Sequence, residues 1–330
     1  MTTDSLFSQL KSPIRNMSRR DFLKFSLLMT SILAIPKNYV RDIAQALSTT
    51  TRLPVIWLEF QGCTGDTESF IRANRRPDPI NPGVIDPSIS EILLDIISLE
   101  YHETLMVPSG DRSEKSLLDT IQNYPGQYLC VVEGSIPIKD NGVYCTIGGR
   151  SALSIVQQAC ENARATFAVG SCAWDGGLAA AAPNPTGAVG VKAAVPGITN
   201  LINLPGCPSN VVNVVASVVH LITFNQLPDR DNLGRPYFAY GEVIHDECER
   251  EDFFEDGKYV LAWGDEGHRK GWCLYKMGCK GPATPHNCST VGWNDDISWP
   301  VRSGHGCIGC ASPNFWDAMT PFYKPVPNPD

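Results

Sequence analysis

The stretch Leu53-Pro-Val-Ile-Trp-Leu-Glu-Phe60, closed by Gln61-Gly-Cys-Thr-Gly65, decides the fold. Its apolar, β-branched and aromatic run followed by a small-residue turn is the pattern of a parallel strand buried on both faces. Similar strands are predicted at Tyr128–Glu133, Thr166–Gly170 and Asn200–Leu204, with helical segments at Ser88–Ile97, Ser113–Gln122, Ser151–Arg164 and Asn210–Phe224. Strands alternating with helices predict an α/β domain built on a parallel sheet. Ligands of such sheets bind beyond the carboxyl ends of the strands. Three of the predicted strands end in turns that carry a cysteine: Cys63, Cys172 and Cys207.

With 330 residues, 43% of them apolar, the chain can bury one large or two modest cores, which excludes disordered and collagen-like classes. Lys and Arg number 27 against 35 Asp and Glu, and no basic block concentrates charge, so nucleic acid is excluded as a partner. After about Arg235 the sequence turns to Gly, Pro, aromatic and charged residues with few apolar periods. Six of the twelve cysteines (Cys248, Cys273, Cys279, Cys288, Cys307, Cys310) lie in the last 83 residues. A segment with so little hydrophobic patterning needs staples, and clustered Cys and His supply them. Residues 47–235 are therefore expected to form the sheet domain and 236–330 a smaller, irregular metal-binding domain.

Residues 1–46 read as targeting rather than fold. Ser18-Arg-Arg-Asp-Phe-Leu-Lys24 precedes an apolar run from Phe25 to Pro36 and resembles a twin-arginine export signal, with Ala44-Gln45-Ala46 offering a peptidase site after Ala46. The alternatives are a basic amphipathic helix with an accidental arginine pair, and an uncleaved signal. Removal of the segment would leave 20 basic against 32 acidic residues. The apolar run is shorter than the roughly 20 residues a membrane span needs, and no such run precedes the Pro-rich end from Pro321 to Asp330, so no span of its own is expected. Export places the protein in the periplasm or on the outer face of the cytoplasmic membrane; an unused signal would leave it cytoplasmic. Since this route carries folded, cofactor-loaded proteins, it favours metal over disulfides for the cysteines.

His245-x-x-Cys248, Cys273 and Cys279 supply one imidazole and three thiols, a closed metal site for which structural zinc is the main competitor. Cys288, Cys307 and Cys310 supply three thiols, with Pro300 where a fourth ligand would stand; three thiols suit a three-iron cluster better than zinc, which would need His286 or His305. Cys63, Cys172 and Cys207 form a third set, and Cys63-Thr-Gly-Asp66 resembles C-x-x-C with a carboxylate replacing the second thiolate. Asp66 reads either as a ligand, harder and more readily protonated than a thiolate, or as a turn or helix-capping residue. Cys130, Cys145 and Cys160 fall outside these sets and read as small buried hydrophobes.

These motifs resemble the small, electron-transferring subunit of nickel–iron hydrogenases. The matching strings are Gly62-Cys-Thr-Gly-Asp-Thr-Glu-Ser69, Ile97-Ser-Leu-Glu-Tyr-His102, Val131-Val-Glu-Gly-Ser-Ile-Pro137, Asn184-Pro-Thr-Gly187, Pro205-Gly-Cys-Pro208, Gly264-Asp-Glu-Gly-His268, Gly271-Trp-Cys-Leu-Tyr275 and Gly304-His-Gly-Cys-Ile-Gly-Cys310. The resemblance implies a flavodoxin-like domain with a proximal [4Fe-4S] cluster on Cys63, Cys172 and Cys207, for which the spacing offers Asp66 as the fourth ligand. It implies a distal [4Fe-4S] cluster on His245, Cys248, Cys273 and Cys279, and a medial [3Fe-4S] cluster on Cys288, Cys307 and Cys310. Hydrogen would be split at a nickel–iron centre in a large subunit, leaving no catalytic residue here. The chain would act as a hydrogen-uptake oxidoreductase only within a heterodimer, itself able to pair, passing electrons to a cytochrome b or another acceptor. Most relatives have cysteine at position 66, whereas a minority including the actinobacterial type share the aspartate; oxygen-tolerant relatives carry extra cysteines where this chain has Gly65 and Gly177. Glu68 and His102 are candidates for proton movement and for contact with the large partner, with a helix first turn and a strand end as their plain readings. The rival functions are a hydrogen-sensing regulatory hydrogenase and, from another class, a zinc-stapled binding module.

Overall fold

A computed structural model describes residues 17–49, 51–72, 95–293 and 296–326. Two N-terminal helices, α1 (Arg19–Ile32) and α2 (Val40–Thr49), precede β1 (Leu53–Glu59) and the short α3 (Gly65–Ile71). Then come β2 (Ile97–His102), α4 (Asp111–Asn123), β3 (Leu129–Glu133), α5 (Ala152–Glu161), β4 (Ala165–Val169), α6 (Gly170–Asp175), β5 (Leu201–Leu204) and α7 (Val211–Phe224). All pairings in the main sheet are parallel and its order is β2-β1-β3-β4-β5. This is the doubly wound flavodoxin-like order, whose switch point lies between β1 and β3.

Successive residues of the central strands face opposite sides. Val55, Trp57, Leu129 and Val131 join a core with α7, while Ile56, Leu58, Cys130 and Val132 join one with α4 and α5. Helices on both faces explain why these strands carry continuous apolar runs rather than alternation. The four predicted strands form, as do the helices expected at Ser113–Gln122, Ser151–Arg164 and Asn210–Phe224. The helix expected at Ser88–Ile97 lies mostly outside the described residues. Its last position, Ile97, begins β2, an edge strand with the apolar-polar alternation Ile-Ser-Leu-Glu-Tyr-His that the strand pattern above does not include.

The N-terminal segment, read from sequence as targeting only, is folded onto the sheet domain. Ser18 caps α1: its Oγ accepts from Asp21 N at 3.2 Å and donates to the Asp21 carboxylate at 2.6 Å, a cap made from the arginine-pair motif itself. Phe22, Phe25 and Met29 of α1, with Ile43, Ala44 and Leu47 of α2, are buried in the core that includes Val214, Val219 and Ile222 of α7. Arg19 and Arg20 remain exposed. None of the described helices is long and apolar enough to cross a membrane.

Beyond β5 and α7 the described residues contain only short helices and isolated bridges. Their core mixes Ile244, Val260, Leu274, Trp299 and Val301 with Cys279, Cys288 and Cys307, so sulfur occupies the centre where a conventional domain would place aliphatic side chains. The packing of α1 yields a direct test. Phe25→Ala in the full chain should cost about 3–5 kcal/mol, read as a lower thermal midpoint; an unchanged midpoint would mean that the N-terminal helices do not pack on the domain.

Candidate iron–sulfur sites

Each sheet-domain thiol sits where a strand releases the chain: Cys63 after β1, Cys172 in α6 after β4, and Cys207 after β5. The structure brings them together with Asp66. Burial pushes the Cys172 thiol up to about 12, reinforced by Cys207, Asp66 and Cys63, and the Cys207 thiol up to about 11, reinforced by Asp66 and Cys63. Asp66 is 9% exposed. Burial raises its carboxyl to about 6 against the pull of Ser209, whose N–H donates to Oδ1 at 2.6 Å. The carboxylate also faces Gly170, where φ is +78° and a Cβ would fall 2.1 Å from Oδ2. Gly65 and Gly177 line this same site. A Cβ on Gly65 would lie 3.0 Å from Cys63 Sγ, and one on Gly177 2.6 Å from Cys172 Sγ.

In the C-terminal segment, His245, Cys248, Cys273 and Cys279 line one pocket, together with Leu274, Tyr275, Pro282 and Val301. Backbone donors already point at its sulfurs: Tyr275 N at 3.4 Å from Cys273 Sγ and Cys307 N at 3.2 Å from Cys279 Sγ. Cys288, Cys307 and Cys310 are all buried and push one another's thiols further up. Trp293 Nε1 donates to Cys288 Sγ at 3.1 Å and Gly309 N to Cys307 Sγ at 3.4 Å. The Pro300 carbonyl accepts from His305 N at 2.9 Å, and Pro300 itself lies between the buried Trp299 and Val301.

The three sets adjoin one another in a fixed sequence. Ser171, next to Cys172, donates its hydroxyl to the Cys310 carbonyl at 2.6 Å, and the Cys207 backbone hydrogen-bonds the Cys310 thiol, which joins the first set to Cys288, Cys307 and Cys310. The Cys307 N–H on Cys279 Sγ joins that middle set to the His245 set.

The donor spacing bears on what the sets can hold. Tetrahedral zinc at about 2.3 Å from each sulfur holds its donors within roughly 4 Å of one another. Among the described residues, the only group of three or more His, Cys, Asp or Glu donor atoms lying mutually within 4.8 Å is Glu59, His102 and Glu103; none of the cysteine sets meets it. His286 Nδ1 stands 3.0 Å from Cys288 Sγ, and His305 stacks on Trp263. Among the described residues, the cysteine sets are therefore wider than the shell of a single tetrahedral ion.

Cys130 and Cys160 are buried with their sulfurs 4.0 Å apart, as small core residues, whereas Cys145 is only half-buried. Glu68 is exposed in the first turn of α3. His102 is fully buried. Its Nδ1 accepts from Thr104 N and Leu105 N at 3.1 and 3.3 Å, which leaves the proton on Nε2, 3.2 Å from Thr67 Oγ1. Burial lowers its pKa to about 4, so the ring is neutral.

Comparison with known proteins is consistent across the chain. Residues 240–323 match the C-terminal family model of the NiFe/NiFeSe hydrogenase small subunit, and residues 63–221 match that for the NADH ubiquinone oxidoreductase 20 kDa subunit. The quinone-reactive Ni/Fe-hydrogenase small chain of Wolinella succinogenes is 45% identical over 95% of this chain and 86% of its own length. The chain belongs to the nickel–iron hydrogenase small subunits. Periplasmic [NiFe] hydrogenase small subunit 1 of Nitratidesulfovibrio vulgaris is 41% identical over 94% of both chains. The solved [NiFeSe]-hydrogenase of Desulfomicrobium baculatum superposes with a TM-score of 0.74 at 32% identity, covering 84% of this hydrogenase chain and all of the compared one.

Gly170→Ala should expel the Asp66 carboxylate and lower the iron bound by the sheet domain, measured as iron per chain; full retention would mean that Asp66 is free to move. The thiols of Cys207, Cys248 and Cys273, raised to about 11 mainly by burial, must each release a proton to bind iron as thiolate. Iron incorporation into folded apoprotein should therefore rise between about pH 6.5 and 8.5, and a flat or falling profile would contradict the assignment of these thiols as ligands.

Proposed function

We propose that this small subunit, paired with a nickel–iron large subunit, relays the electrons of hydrogen oxidation through a proximal, a medial and a distal site. Cys63, Asp66, Cys172 and Cys207 would hold the proximal [4Fe-4S] cluster, Cys288, Cys307 and Cys310 the medial [3Fe-4S], and His245, Cys248, Cys273 and Cys279 the distal [4Fe-4S]. When bound, the clusters supply one-electron carriers between the hydrogen-splitting centre of the large subunit and an external acceptor such as a cytochrome b. The observation that carries the reading is the unbroken contact sequence from Cys172 and Cys207 through Cys310 and Cys307 to Cys279. The protein's own work is to bury the donors of the middle set, Cys273 and Cys279, while Cys63 stays exposed, and to aim N–H groups at the sulfurs of Cys273, Cys279, Cys288 and Cys307, which sets ligand basicity and potential.

The domain division at residue 235 falls between the two matched stretches, 63–221 and 240–323. Residues 1–46 act in this reading as a twin-arginine leader for export to the periplasm or the outer face of the cytoplasmic membrane, with Arg19 and Arg20 presented on the surface. Cleavage after Ala46 then requires α2 to undock, because Ala44 is fully buried within that helix. A pair of heterodimers is the oligomer this reading carries.

The relay separates two activities that can be measured on one heterodimer. Cys288→Ala should leave hydrogen–deuterium exchange at the large subunit near wild type while hydrogen-dependent dye reduction falls by about tenfold or more; parallel loss of both would contradict a relay role. Asp66 is tested by replacement. Asp66→Cys should keep a four-iron proximal cluster at a shifted potential and Asp66→Ala should lose iron, whereas wild-type spectra in both would remove Asp66 from the ligand set.

A further inference from the structure

The helix that carries Asp66 lacks a cap of its own. Thr64, at its N-cap, has φ of +61° and makes no side-chain capping bond, so the first-turn N–H groups of α3 need another acceptor. They find it on a different strand. Glu133, the last residue of β3 and 1% exposed, accepts from Asp66 N on Oε1 at 3.0 Å and from Thr67 N on Oε2 at 3.0 Å. The Thr67 hydroxyl donates to Oε2 at 2.6 Å and Trp57 Nε1 donates to it at 3.0 Å. The Thr67 hydroxyl is in turn held by His102 Nε2, and His102 stacks on Trp57 with ring centroids 5.4 Å apart. The parallel register places Glu133 directly beside Glu59 at the switch point, so the cap comes from the strand end nearest the Cys63 turn.

We infer that Glu133 is the positioning residue of the proximal site: its carboxylate, braced by Thr67, Trp57 and His102, fixes the main chain between Cys63 and Asp66 and so aims both side chains at the cluster. This rests on the proximal-site reading above. Four donors converge on two oxygens, and only a carboxylate can receive them all. A glutamine of the same size offers one oxygen and sets its NH2 against at least one of these N–H groups. An aspartate keeps both oxygens at a shorter reach.

The test uses the holo heterodimer and reads the three sites separately, by electron paramagnetic resonance during a redox titration. Glu133→Gln should lower the proximal signal by about tenfold, the order expected for losing a charge-assisted hydrogen bond, or move its midpoint potential, while the medial and distal signals keep their wild-type positions. Glu133→Asp should recover part of the proximal signal, and Thr67→Val should reproduce a milder form of the Gln defect. A wild-type proximal signal and potential in Glu133→Gln would overturn the inference. So would equal loss of all three signals in Glu133→Gln and Thr67→Val, which would make Glu133 a general fold residue. Absence of a proximal signal from the wild-type heterodimer would instead overturn the site reading itself.

Discussion

Burial of thiols is the constraint on which the rest of the molecule depends. Low-polarity surroundings disfavour thiolate, and three or four neighbouring thiols disfavour it further by mutual repulsion. Cys279, Cys288, Cys307 and Cys310 occupy positions where an ordinary domain would place leucine, and all have their thiols pushed upward, by burial before any other cause. As thiolates, such sets become favourable only when a cation neutralises them. The N–H donors to Cys273, Cys279, Cys288 and Cys307 are placed for sulfur that carries charge, since hydrogen bonds to ionised acceptors are the strong ones.

The sheet domain solves a different problem with the same means. Its order brings the carboxyl ends of β1, β4 and β5 to one edge, and the turns leaving them deliver Cys63, Cys172 and Cys207 to a common point. Gly170 permits close approach there because its φ is positive and no Cβ intrudes on Asp66. The middle set stands against this edge through Ser171 and Cys207.

Much of this was legible in sequence because the decisive features are local. Continuous apolar runs identify β1, β3, β4 and β5, and each donor set announces itself through its residue types and spacing. β2 escaped because an edge strand alternates, and its motif Ile97–His102 had no neighbouring turn signal to separate it from the preceding segment. The N-terminal run from Phe25 to Pro36 is short and apolar whether it serves as a leader or as a core helix; only packing against α7 shows the second role. Glu133 escaped for a deeper reason. A carboxylate ending an apolar strand is an anomaly the sequence displays, but its partners, Asp66, Thr67 and Trp57, lie 66 or more positions away, and only the register of β1 on β3 brings them together. The same holds for the order of the three sites, which rests on contacts between Ser171 and Cys310 and between Cys307 and Cys279.

What the cysteine sets hold is the central question, and iron, acid-labile sulfide and zinc counted in the purified heterodimer answer it. Two four-iron clusters and one three-iron cluster on this chain, plus the iron of the large subunit's nickel–iron centre, predict about twelve iron atoms per heterodimer, with sulfide in similar amount and zinc near zero. Zinc in place of iron, without labile sulfide, would contradict the relay.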